Sequence, residues 1–265
     1  MGKIHPNTPV IIGTAQYGDH ISNVEDGLDP LSILEHVSKA AVRDAVGSAR
    51  EQDAIQALEM VAVVRSFSDS SPVFAIPWVQ YSNLPKSLSA RLGATAERLV
   101  YPHVGGNTPQ YLVNESCERI AKGEMSLALL SGAEALRTVA QAKHAGLTPD
   151  WSDDPGGAFE IWGDGRDGVS PHELAHGIGM PTTTYPLFEN ALAAHYQRTM
   201  SSHRLACGTL LRDFADVAAH NPLAAFPTEL SAKAIITPDD RNRMIGWPYT
   251  KSMCAQMYVN QGAAV

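Results

Sequence analysis

The sharpest chemical pattern in the 265-residue sequence is Pro171-His172-Glu173-Leu-Ala-His176-Gly-Ile-Gly179. Two histidines four residues apart on a helix share a face and ligate zinc, with the intervening Glu as general base. The longer protease form of this pattern carries a third His three residues after the Gly, where this chain has Thr182. Pro171 and Pro181 leave the motif barely two helical turns. Zinc hydrolysis at His172, Glu173 and His176 is therefore the alternative reading, and the leading reading assigns no metal.

A second candidate is Gly105-Gly106-Asn107-Thr108-Pro109, which leads straight from a strand into a helix. Thr108 is expected to cap that helix and Pro109 to fill its first position. Backbone N–H groups at such a terminus bind anions or carbonyl oxygens. The plainer reading is that two glycines permit a tight turn. Three cysteines (Cys117, Cys207, Cys254) lie far apart and match neither a disulfide framework nor a zinc spacing.

These candidates are positioned by alternating strands and helices. Val10–Thr14 reads as a buried first strand and Leu58–Val64 as a second. Asp29-Pro30 opens a helix whose apolar stripe includes Leu31, Leu34, Val37, Ala41 and Val46, with Gly47 as its stop. A short helix is expected from Pro85 to Leu92, a strand from Arg98 to Val104, a strand at Leu127–Leu130 and a helix from Ala133. The alternation implies an α/β layered fold with a largely parallel sheet. Residues 144–188 read as extended loop, a length usually functional. Helical stretches follow near Leu187–Met200 and Ser202–Ala219, the latter capped by Ser202 with a stripe of Leu205, Leu210, Leu211, Phe214 and Val217.

Hydrophobic content of 44% and charged content of 18% suit a globular chain with a sizeable core. The formal charge of −8 argues against a nucleic-acid partner. No apolar run approaches the ~18–20 residues of a membrane span. The polar start lacks signal-peptide character, and cysteine usage fits a reducing, cytoplasmic setting.

The segment Gly105 to Ala135 resembles the thiolase stretch that carries the reactive cysteine. There a Cys-x-Ser-Gly turn leads into a helix ending Ile-Ala-x-Gly, then a buried strand and Ala-Gly-Gly-x-Glu. The helix, Gly123, the strand and Gly132-Ala-Glu134 match at about the same spacing. Counting back from Ile120 places the cysteine position on Gly106. Tyr185–Ala191, Asn242–Lys251 and Val259–Ala264 are similar to the loop domain of bacterial thiolase-like proteins and to the Asn-Asp-Gly-Ala-Ala turn that opens a thiolase's second half.

The resemblance implies a thiolase-like layered α/β fold, of which this chain supplies the first half. Residues 1–143 would form the α/β domain, 144–258 an inserted helical loop domain, and 259–265 the start of a truncated second half. It implies an acetyl-CoA acyltransferase homologue of lipid metabolism that acts on or binds acyl-CoA, with CoA as substrate or ligand and no other cofactor. A non-catalytic CoA- or acyl-binding protein is the alternative. Acyl transfer needs a thiolate at a helix amino terminus, where the dipole lowers its pKa. Cys117 lies eleven residues beyond Gly106, roughly 16 Å along a helix, and cannot replace it. His195, His203, Met257 and Asn260 are the candidates for ligand contact. The implied protein partners are a second copy in a homodimer or a separate second-half chain. The stripe at Leu112, Ser116 and Ile120 would pack on that second half and otherwise be exposed.

Overall fold

The computed structural model describes residues 5–19, 23–72, 74–255 and 257–265. Two compact units divide the chain, the first built from residues 1–165 and 258–265 and the second from residues 166–257.

The first unit is built on five strands: β1 (Ala15–Gly18), β2 (Met60–Val63), β4 (Arg98–Val100), β5 (Ala128–Ala135) and β9 (Asn260–Ala264). They form one sheet in the order β1-β9-β5-β2-β4. β2 runs parallel to both β4 and β5, whereas β9 is antiparallel to its neighbours β5 and β1. A separate parallel pair joins β3 (Val79–Tyr81) to β6 (Trp151–Asp153).

Helix α1 (Pro30–Val46) forms because Asp29 accepts from the N–H groups of Leu31 and Ser32, while Pro30 suits the first turn. Its face Leu31, Leu34, Val37 and Ala41 is buried with Leu84, Leu88 and Leu92 of α3 (Leu84–Leu92). Val61 and Val63 of β2 point into that cluster, and Met60 and Ala62 point to the opposite one. Each fully buried Leu or Val contributes about 1.5–3 kcal/mol. The opposite cluster gathers Met60, Ala62, Val100, Met125 and Trp162 under Leu112 of α4 (Thr108–Lys122). Helix α2 (Glu51–Gln56) precedes β2, and α5 (Leu136–Ala145) follows β5.

The second unit is mainly helical, with α6 (Pro171–Ala175), α7 (Pro181–His195), α8 (Met200–Ala219), α9 (Ala232–Ile236) and a hairpin of β7 (Met244–Gly246) and β8 (Tyr249–Thr250). Asn242 ties the hairpin to α9. Its Nδ2 donates to the carbonyls of Ala234, Ile235 and Thr237, and its Oδ1 accepts from Ser252 N–H. No helix among the described residues is long and apolar enough to cross a membrane.

Several expectations are corrected here. Val10, Ile11 and Ile12 are exposed, because the register pairs Ala15 with Ala264 and leaves residues 10–14 outside the ladder. β5 extends through Ala133 to Ala135, so the next helix starts at Leu136. Residues 144–165 join the first unit through β6 and through a bridge between Glu160 and Val100. Residues 259–265 also belong to the first unit, where β9 is an interior strand bonded on both edges. The compact units therefore divide at 165/166 and 257/258 instead of 143/144 and 258/259.

Thr199, not Ser202, caps α8, its side chain accepting from Ser202 N–H. Leu205, Leu210, Phe214 and Val217 are exposed, because α8 turns His203 and Gly208 inward instead. Gly208 lies so close to α9 that a Cβ would meet the Ala232 carbonyl oxygen at 2.7 Å. Leu112 and Ser116 are buried and Ile120 is partly buried, since α4 lies on the sheet of its own unit.

Candidate functional site

The parallel strands β2, β4 and β5 end side by side, which is where open α/β sheets place ligands. Arg65, just after β2, ties two of these ends together. Its Nε donates to the Pro102 carbonyl at 2.7 Å and its Nη2 to the Tyr101 carbonyl at 3.2 Å, while Nη1 pairs with Asp69 at 2.9 Å. The guanidinium also lies 4.2 Å from the centre of the Tyr101 ring. Tyr101 is buried, its hydroxyl accepts from Ser66 N–H, and burial pushes its pKa up to about 12.

At the end of β5, the Glu134 carboxylate accepts from Phe67 N–H at 2.5 Å. Desolvation raises its pKa to about 7 against the opposing effect of that hydrogen bond. Sequence reasoning gives Arg65, Tyr101 and Glu134 no role at a site. The available signal is position: each lies at or just beyond the end of a strand.

The loop after β4 delivers the chain to α4. Thr108 is the first helical residue and does not cap; its hydroxyl donates to the His103 carbonyl, and Asn107 occupies the cap position without a side-chain cap bond. Thr108 N–H donates to the Gly105 carbonyl, and Tyr111 N–H to that of Asn107. Among the described residues, no acceptor takes the N–H groups of Gly106, Asn107 and Gln110. Gly106 and Asn107 are exposed, and a Cβ placed on Gly106 would meet nothing within 4 Å. This corner thus presents unpartnered donors and open space at the positive end of a 15-residue helix. Cys117 lies within α4, beyond this turn.

The other candidates lie elsewhere. Asn260 is only 1% exposed, and its polar atoms are committed within the first unit. Its Oδ1 accepts from Thr138 N–H, and its Nδ2 donates to Asp19 and to the Thr138 hydroxyl. Met257 is exposed, and His195 stacks edge-on against Tyr196. His203 is 5% exposed, with Nε2 2.5 Å from Glu189 Oε2.

His172 in α6 and His176 at its C-cap have ring centres 4.5 Å apart. Glu173, however, turns back to the helix start. Its carboxylate accepts from Ser170 N–H and hydroxyl while Ser170 receives Glu173 N–H, a capping box that lowers the Glu173 pKa. No third ligand joins the two histidines among the described residues.

The mixed sheet, the helices on both of its faces and the strand–turn–helix corner define a thiolase-type α/β protein, and the chain is a relative of the thiolase superfamily. It is similar to a monomeric SCP2-thiolase-like protein type 1 from Mycobacterium smegmatis, with 28% identity and a TM-score of 0.72 over 98% of this chain and 45% of that one. It shares its fold with an Ltp2-ChsH2(DUF35) aldolase, with 16% identity and a TM-score of 0.61 over 98% of this chain and 55% of that one. The fold is also that of an acetyl-CoA acetyltransferase from Syntrophomonas wolfei, with 13% identity and a TM-score of 0.54 over 96% and 62% of the two chains. The chain therefore spans about half the length of these structures. No family model matches the sequence, and no curated protein does.

Proposed function

We propose that the chain contributes the carbonyl-binding corner of a thiolase-fold protein that holds an acyl-CoA thioester without forming an acyl-enzyme. The observation that carries this reading is the open turn at Gly106. The N–H groups of Gly106, Asn107 and Gln110 have no acceptor among the described residues, and a Cβ added to Gly106 would have no neighbour within 4 Å. Such donors stabilise negative charge developing on a carbonyl oxygen. A thioester oxygen would be held there, while covalent capture would require a thiolate at the same place. Arg65 and Tyr101 keep the loop in position and take no part in the chemistry themselves.

Making or breaking a carbon–carbon bond beside a carbonyl needs a polarised oxygen and no thiol, which is chemistry the open turn can support. Acyl transfer in the manner of the acetyltransferase relative would demand a nucleophile supplied by other residues.

Equilibrium titration of the chain with acetoacetyl-CoA, combined with intact mass spectrometry, tests the proposal. Saturable binding with no acetyl adduct is the expected result, and Gly106→Asp should abolish binding while leaving the melting curve unchanged. An acetyl adduct on the wild-type chain would sink the non-covalent reading, and absence of saturable binding would sink the ligand assignment.

A further inference from the structure

Independently of the acyl-CoA reading, we propose that Glu189, His203 and Cys207 form a zinc-type metal site that clips α7 to α8. Their ligand atoms all lie within 4.8 Å of one another, and no other group of three potential ligands occurs among the described residues. His203 and Cys207 are four residues apart on α8 and so share a face, and Glu189 reaches them from α7.

Without metal the three side chains meet through Glu189 Oε2, which both His203 Nε2 and Cys207 Sγ approach, and a bound ion would replace these contacts. Cys207 Sγ lies 3.8 Å from Glu189 Oε2, which is long for a thiol donor. With zinc–sulfur and zinc–oxygen bonds of about 2.3 and 2.1 Å, a tetrahedral edge between these atoms is about 3.6 Å. His203 Nε2 is 2.5 Å from the same oxygen and would retreat by just under 1 Å to reach the corresponding nitrogen–oxygen edge of about 3.4 Å. The second carboxylate oxygen, Oε1, accepts from the Tyr249 hydroxyl at 3.0 Å, so it orients the ligand from outside the site. Nδ1 of His203 is buried with no hydrogen-bond partner, so the ring's polar contact is the one made inside the cluster.

Sulfur, imidazole and carboxylate together favour zinc or cobalt over magnesium or calcium. Three protein ligands leave a fourth position for water, and the Glu189 side chain is partly exposed. Loading releases the Cys207 thiol proton and moves the imidazole proton to Nδ1, which keeps the ring neutral and Nε2 free to bind.

The test is cobalt titration of the full chain after dialysis against a chelator. One equivalent should produce a thiolate-to-cobalt charge-transfer band with visible tetrahedral bands, both erased by zinc. Cys207→Ser should remove the charge-transfer band and weaken zinc binding by roughly tenfold or more. A double variant, His172→Ala with His176→Ala, should leave the spectrum intact. Sub-stoichiometric uptake by the wild-type chain overturns the proposal. So does a charge-transfer band that survives Cys207→Ser, or a spectrum lost in the double variant. Should Cys207→Ser fail to fold, the wild-type spectrum together with that of His203→Gln still decides the matter.

Discussion

The Glu134 carboxylate, at the end of β5, receives the Phe67 N–H at 2.5 Å across the ends of two adjacent parallel strands. Burial raises its pKa from 4.5 to about 7. The folded chain therefore binds more protons than the unfolded chain between those values, and stability falls as pH rises through about 7. Glu134→Gln should flatten that slope and leave the protein more stable than wild type above pH 7, by an amount on the order of 2 kcal/mol. Urea unfolding of both proteins from pH 5 to 8 checks this, and parallel curves would show that Glu134 is ionised throughout.

Gly106 has no positive backbone angle and no neighbour near its Cβ direction, so Gly106→Cys should fold with wild-type stability, within about 0.5 kcal/mol. The new thiol would sit at the start of α4, where the helix dipole lowers its pKa. It should alkylate with iodoacetamide at pH 7 several-fold faster than Cys117, as followed by peptide mass mapping. Equal rates would mean that the turn lacks the electropositive character assigned to it.

Gly262 of β9 packs directly under α1. A Cβ there would fall 2.5 Å from Ile33 Cγ2 and 3.3 Å from Val37 Cγ1, both on a buried face. Gly262→Ala should cost about 1–3 kcal/mol through overpacking. Denaturant unfolding measures the loss, and trimming the clash with Ile33→Ala in the same chain should make the two effects non-additive.

Asn260→Ala would strand the Thr138 N–H and remove the donor to Asp19 in a buried setting. A loss of about 2–3 kcal/mol is expected, with Asn260→Asp also destabilising because it brings a second carboxylate beside Asp19. If acyl-CoA binding by Asn260→Ala falls while its melting temperature stays unchanged, the residue belongs to the ligand site instead of the scaffold.

Local signals carry far in this chain. Asp29 and Pro30 start α1, Gly93 ends α3, and the run from Met60 to Val63 forms a strand buried on both faces, as the residue pattern implies. Each depends on neighbours close in sequence: a cap, a left-handed stop, an unbroken apolar run. The Gly105–Pro109 turn is legible for the same reason, although the cap itself falls one residue earlier, at Asn107.

What the sequence could not decide is which of several equally apolar faces finds a partner. The leucine stripe of α8 is regular, yet α9 packs on the side of Gly208, where the absence of a side chain permits close approach, and Leu205, Leu210 and Phe214 remain exposed. The same packing turns His203 inward against Glu189 and Cys207, a grouping drawn from two helices. The residues of β9 come from the last segment of the chain and lie between β1 and β5. Composition, caps and periodicity act over a few residues and so are written in the sequence itself. Strand order, the inward face of α8 and the meeting of Glu134 with Phe67 depend on contacts across long sequence separations, and only the folded chain selects them.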